Sequence, residues 1–181
     1  MADVIDVLFG CVRVEVGSGH VEVSGHALPP VVLVRAPDAA VRVGVPIGTR
    51  DASALALTVD GEPVELRPAR GGLTRRSYRV AVRRGADDLL FTPSSPTTAR
   101  LVRGRRYRGD NELGTFERAD GSLLPARWSE DVSALGVRVA GLGPLPWEAT
   151  VGYALAAAFG TGAQFFLGLL LEGSEHVSGP G

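Results

Sequence analysis

Arginine is the residue type in this sequence with the clearest capacity for chemistry. All 19 basic residues are arginine, because the chain contains no lysine. The planar guanidinium group forms paired hydrogen bonds with phosphate and carboxylate groups, whereas an ammonium group acts as a point charge. The composition therefore favours planar, bidentate recognition of anions.

The arginines are concentrated in the middle of the sequence. Residues 67–108 contain twelve Arg against two Asp, a net charge of +10, whereas residues 1–66 carry -5 and residues 109–181 carry -6. In a strand, Arg79 and Arg83 share one face, and Val80 and Val82 share the other. The pattern predicts an exposed basic band over a buried valine face. The candidate anion-binding residues are Arg75, Arg76, Arg79, Arg100, Arg103, Arg105, Arg106 and Arg108.

Two interpretations of this band are open. It is either a solvated face that pairs with the acidic flanking segments, or a surface that binds an anionic membrane lipid, an acidic protein or a nucleic acid. Single-stranded nucleic acid is bound through several aromatic side chains among basic ones. Only Tyr78 and Tyr107 are available here, so lipid and protein rank above nucleic acid. The oligomeric state is left open.

No pattern for catalysis or metal binding is present. His20 and His26 lie six residues apart without acidic or sulfur ligands at zinc spacing, and His176 is near the end of the chain. The sequence lacks Gly-x-Ser-x-Gly and any Gly-Lys phosphate loop. We therefore expect a non-catalytic domain with no metal and no cofactor, and keep an unrecognised enzyme as an alternative.

The cysteine content and the N-terminal residues give indications of the cellular compartment. Cys11 is the single cysteine, so no disulfide can form within the chain. The first residues include Asp3 and Asp6, where a signal peptide requires positive charge. These features predict a cytoplasmic protein, with membrane association left open.

Alternating apolar and polar residues indicate the strands that must position the arginines. Val12, Val14 and Val16 alternate with polar residues, and Val21 and Val23 follow a Gly-Ser-Gly turn. Further strands are predicted at 31–35, 40–45, 55–59, 64–66, 77–83, 89–92, 99–102, 113–118, 122–128 and 136–140. About ten short strands without alternating helices predict a mainly β fold, an antiparallel barrel or sandwich.

The C-terminal segment has the opposite character. Pro146 and Glu148 indicate a helix start, and residues 149–171 carry no charge. We predict one hydrophobic helix over 146–171, within a single domain of residues 1–172 and before a flexible tail of residues 173–181. A helix that is apolar on all sides is buried either in the barrel or in a lipid bilayer. The first alternative gives a binding domain, and the second a tail-anchored protein with a cytoplasmic β domain.

Many short strands followed by one apolar helix resemble the tubby-like β-barrel superfamily, which includes the LURP-one-related proteins and the phospholipid scramblases. The resemblance covers residues 77–171. It rests on the strand 78–82, the segment 112–116, Asp120-Gly121 before Trp128, and the apolar stretch 151–155. It implies a closed barrel around the terminal helix and a non-enzymatic binding or membrane-associated role, with anionic lipid head groups as one ligand class. It implies no catalytic residue.

Overall fold

The computed structural model describes residues 1–72, 74–129, 132–134, 137–139 and 143–161. The fold is mainly β and confirms the predicted class: eleven antiparallel strands form a nearly closed barrel, and a twelfth strand pairs with β10. The strands are β1 (Ala2–Asp6), β2 (Gly10–Gly17), β3 (His20–Gly25), β4 (Leu28–Arg35), β5 (Leu55–Val59), β6 (Glu62–Pro68), β7 (Val80–Arg84), β8 (Asp87–Pro93), β9 (Thr98–Arg103), β10 (Glu112–Ala119), β11 (Ser122–Leu123) and β12 (Arg127–Trp128). Two short strands, β13 (Val132–Ala134) and β14 (Val137–Val139), pair separately.

Most of the alternating valines face the interior of the barrel, but Val16, near the end of β2, is 46% exposed. Val14 pairs with Val23 across β2 and β3, Val23 pairs with Val31 across β3 and β4, and all three are buried. Because successive side chains of a strand point to opposite faces, the polar residues between them lie outside. The hairpin predicted from this alternation is confirmed.

One helix, α1 (Pro146–Phe159), lies inside this wall of strands. Pro146 occupies the first turn, and the Glu148 carboxylate accepts a hydrogen bond of 2.7 Å from the backbone N–H of Leu145. Every residue from Trp147 to Phe159 is buried, and the helix contacts β2, β3, β4, β8 and β10. Five of its 14 residues are alanine and one is glycine, and these small side chains fit the narrow interior of the barrel.

The predicted helix end at residue 171 is wrong. The helix ends at Phe159, and Gly160 follows with φ +78°, a conformation that glycine adopts at little cost. The remaining predicted helical residues from 162 onward, and the predicted tail 173–181, lie outside the described residues. No helix in the described part of the chain combines the length and apolar character required to cross a membrane.

Two strand predictions also need correction. Residues 40–45 form a loop between β4 and β5, because their backbone hydrogen bonds are made within the loop: Arg42 N–H donates to Gly48 O, and Gly48 N–H donates to Val45 O. The predicted strand at residue 77 begins instead at Val80, after a short 3-10 turn (Arg75–Tyr78). In addition, β1 is absent from the predicted strands.

Side chains join the two ends of the strand series. The Asp6 carboxylate, at the end of β1, accepts hydrogen bonds from Trp128 Nε1 on β12 at 2.9 and 3.1 Å, and from the Tyr153 hydroxyl on α1. The Tyr153 oxygen accepts a hydrogen bond of 2.9 Å from the backbone N–H of Ala126. Asp6 therefore connects the first strand, the last barrel strand and the helix.

Candidate anion-binding surface

The strand directions divide the candidate arginines between the two ends of the barrel. The β9–β10 loop lies beside the helix start, where Arg103 binds Glu148. The loops of residues 36–54 and 69–79 lie at the opposite end, where Ile47 N–H donates to Ala158 O near the helix end. Since α1 has 14 residues, the two groups are separated by roughly 20 Å. The predicted band is therefore two separate surfaces.

Three candidate arginines near the helix start are bound to carboxylates. Arg103 donates to Glu148 through Nε at 2.8 Å and through a second nitrogen at 2.5 Å. Arg105 binds Asp88 at 2.8 Å, and Arg100 binds Glu112 at 3.2 Å. Glu148 is only 1% exposed, and its hydrogen bonds raise the pKa of Arg103. At these three positions, the structure agrees with the interpretation in which the arginines pair with acidic residues.

The loop that follows Arg103 is held in one conformation by Asn111. The Asn111 amide donates to Arg103 O at 2.9 Å and to Arg106 O at 2.8 Å, and its oxygen accepts from the backbone N–H of Arg108. This arrangement leaves Arg106 and Arg108 exposed around a cleft of about 520 Å³, which Asp110 also lines. These two candidates lie together and make no ion pair with the described residues.

The opposite end of the barrel carries a denser basic surface. We call it the basic end and define it by Arg42, Arg50, Arg70, Arg75, Arg76 and Arg79. Residues 36–54 and 68–80 contain these six arginines against two acidic residues, Asp38 and Asp51. None of the six forms an ion pair with a carboxylate of the described residues. Positive charge is therefore concentrated here without neutralisation by those residues.

Arg50 is the buried member of the basic end, with 7% of its surface exposed. Its guanidinium donates to backbone carbonyls, to Ala69 O at 2.8 Å and Tyr78 O at 2.7 Å. It also lies 5.0 Å from the ring centroid of Phe159 and 5.5 Å from that of Tyr78. Carbonyls, aromatic rings and the negative end of the helix dipole stabilise this charge without removing it.

Arg42 approaches Arg50 above Gly71. A side chain at position 71 would meet an Arg42 nitrogen at 3.3 Å and Arg50 Cδ at 3.4 Å, and the backbone there has φ +72°. Burial lowers the pKa of Arg50 to about 10, and the positive charge of Arg42 acts in the same direction. Two like charges this close repel each other, so an anion placed between them would be stabilised by both.

An open cleft of about 560 Å³ gives a ligand access to this pair. Its lining includes Arg42, Arg50, Arg70, Thr49 and Asp51. Ser53 hydrogen-bonds to the Asp51 carboxylate through its hydroxyl at 2.7 Å and its backbone N–H at 3.0 Å. These bonds, with a smaller contribution from Arg70, lower the pKa of Asp51. Three arginines, of which Arg50 is largely buried, therefore line the cleft beside one carboxylate that already accepts hydrogen bonds.

The remaining candidates lie outside the lining of this cleft but at the same end of the barrel. Arg75 and Arg76 are exposed on the 3-10 turn, and Arg75 donates to Ser94 O at 3.3 Å. Arg79 follows the turn, and its Nε is buried without a hydrogen-bond partner among the described residues. The structure thus brings Arg75, Arg76 and Arg79 together with three arginines that sequence reasoning missed.

Arg42, Arg50 and Arg70 escape notice in the sequence for a definite reason. Arg42 and Arg50 lie in the segment 1–66, whose net charge is -5, and Arg70 stands apart from the densest clusters. Only the fold places the loop of residues 36–54 beside that of residues 69–79. The only local indication is the Gly-Thr-Arg-Asp sequence at 48–51, in which a glycine marks a turn directly before Arg50. In the structure, Gly48 has φ +93°.

Within residues 1–72, 74–129 and 143–161, no group of three His, Cys, Asp or Glu side chains is placed to hold a metal ion. Comparison of the chain with protein-family models, with curated proteins and with solved structures finds no match. The resemblance to the tubby-like superfamily therefore stays a prediction from sequence pattern.

Proposed function

We propose that this chain is a non-catalytic binding domain that attaches to anionic lipid head groups through the basic end. The observation that carries the proposal is the set of six arginines at one end of the barrel, unpaired with carboxylates of the described residues, of which three line an open cleft. Guanidinium groups bind phosphate oxygens in pairs, and each basic side chain near an anionic leaflet contributes about 1 kcal/mol. The proposal assigns the surface to the loops of residues 36–54 and 69–79, away from the densest arginine cluster of the sequence.

The first prediction concerns Arg75→Glu/Arg76→Glu. We expect the wild-type protein to co-sediment with phosphatidylcholine vesicles as their phosphatidylserine content rises, and to dissociate at high salt. The double variant should bind at least about tenfold more weakly, because two favourable contacts become repulsive. Both side chains are exposed and lack ion pairs with described residues, so the fold should persist in circular dichroism spectra.

The matched control is Arg106→Glu/Arg108→Glu, which changes the net charge equally at the opposite end. This variant should bind vesicles like the wild type, because exposed charges are screened beyond about 8–10 Å. Loss of binding in this variant alone would move the membrane-binding surface to the β9–β10 loop. Wild-type protein that ignores vesicles of every composition would reject the proposal.

A further inference from the structure

Two exposed valines lie at the tip of the loop of residues 36–54. Val41 is 67% exposed and Val43 is 97% exposed, with Arg42 between them. Isolated apolar residues on a surface are common. Here, two of them flank an arginine of the basic end, so apolar and cationic groups share one projecting segment.

The loop is held firmly although its tip is exposed. Ile47 is fully buried, and its backbone N–H donates to Ala158 O at 3.0 Å. The Arg35 side chain donates to Ile47 O at 3.1 Å and to Ala39 O at 2.9 Å, which fixes both sides of the tip. Because these contacts set the loop conformation, Val41 and Val43 are presented outward by the fold.

The tip is continuous with the arginine cleft. The Arg42 side chain turns back and donates a hydrogen bond to Arg70 O, and its nitrogens lie over Gly71. The arrangement is an apolar projection bordered by guanidinium groups. A membrane interface has the complementary order, with phosphate groups outside and acyl chains beneath.

We infer that Val41 and Val43 insert into the boundary between head groups and acyl chains of an anionic membrane, while Arg42 and Arg70 contact lipid phosphates. This inference rests on the proposed function and adds an apolar contribution to it. A lipid surface fits better than a protein partner, because two valines are far smaller than the roughly 800 Å² that each side of a stable protein interface buries. Membrane binding, in contrast, strengthens with each inserted side chain.

The test places a fluorescent reporter at the tip. Val43→Trp should show a blue-shifted emission and quenching by brominated acyl chains when anionic vesicles are added. Val7→Trp is the matched control, since Val7 is 78% exposed in the turn after β1, at the other end of the barrel. The native Trp128 and Trp147 are buried and supply a constant background.

The second variant, Val41→Ser/Val43→Ser, removes the apolar contribution and keeps every charge. We expect its vesicle affinity to fall about tenfold with an unchanged salt dependence. If Val43→Trp co-sediments with vesicles without a spectral shift, insertion is wrong and the proposed function stands. If no variant and no wild-type protein binds vesicles, the proposed function fails first. Quenching at Val7→Trp instead of Val43→Trp would also overturn the inference.

Discussion

Replacing Gly152 by valine should destabilise the protein by about 3 kcal/mol or more, because the middle of the helix has no room for a side chain. A Cβ atom at this position would lie 2.4 Å from Phe116 Cζ and 3.1 Å from Leu101 Cδ2. Phe116 cannot move aside easily, since the rings of Phe91, Trp128 and Tyr153 pack edge-on around it at 5.3 to 5.9 Å. The expected result is a marked fall in the denaturant concentration at the unfolding midpoint.

For Gly152→Ala, the sign of the change in stability distinguishes a helix packed inside the barrel from an exposed one. In an exposed helix, replacing glycine by alanine stabilises by about 1 kcal/mol. Inside the barrel, the same change should destabilise, because even one methyl group meets Phe116. Gly143→Ala is the control, since a Cβ there meets nothing within 4 Å. Unchanged or increased stability of Gly152→Ala would show that the helix does not pack against β9 and β10 as described.

The sequence was sufficient for the strands whose valines alternate. Val12, Val14, Val21 and Val23 are buried as the pattern predicts, because a period of two in a strand directs alternate residues to one face. The same rule misleads at 40–45. There, Val41 and Val43 alternate in the same way, but the segment forms turns around Gly44 and Gly48, both of which have positive φ. An alternating pattern of apolar residues does not show whether a segment pairs with a neighbouring strand.

The helix shows the same division between local and long-range information. Its start follows from Pro146 and Glu148, whose effects act within one turn. Its burial follows from its apolar character on all sides. Its end at Phe159 does not follow from composition, because the apolar sequence continues beyond Gly160 without interruption.

The candidate site is the least predictable part, because charges distant in sequence determine it. Arg103 is 45 residues from Glu148, and their pairing removes the centre of the densest arginine cluster from the available surface. Conversely, Arg50 lies in an acidic segment and receives hydrogen-bond partners 19 and 28 residues away. Counting charge along the chain identifies arginine as the candidate residue type, but it does not identify the surface on which the unpaired arginines lie.

The second large effect is expected at Asp6, the carboxylate that joins β1, β12 and α1. Asp6 is 2% exposed and also accepts hydrogen bonds from the backbone N–H groups of Leu8 at 2.8 Å and Phe9 at 3.0 Å. Burial and the Asp6 carboxylate raise the pKa of Tyr153, so its hydroxyl keeps the proton that it donates. Asp6→Ala would leave Trp128 Nε1 and the Tyr153 hydroxyl without their acceptor in the interior. We expect a loss of about 3–5 kcal/mol in the free energy of unfolding.

Asp3→Ala provides the matched control, because Asp3 lies on the same strand but is exposed and forms only a 3.5 Å pair with Arg13. Asp3→Ala should lower the free energy of unfolding by less than about 1 kcal/mol. Tyr153→Phe, alone and combined with Asp6→Ala, completes a double-mutant cycle in chemical denaturation. Since Asp6 and Tyr153 share one hydrogen bond, the double variant should lose less stability than the sum of the losses in the two single variants. If Asp6→Ala and Asp3→Ala lowered the free energy of unfolding equally, backbone pairing alone would hold β1 in the barrel. The hydrogen bonds of Asp6 to β12 and α1 would then contribute no stability.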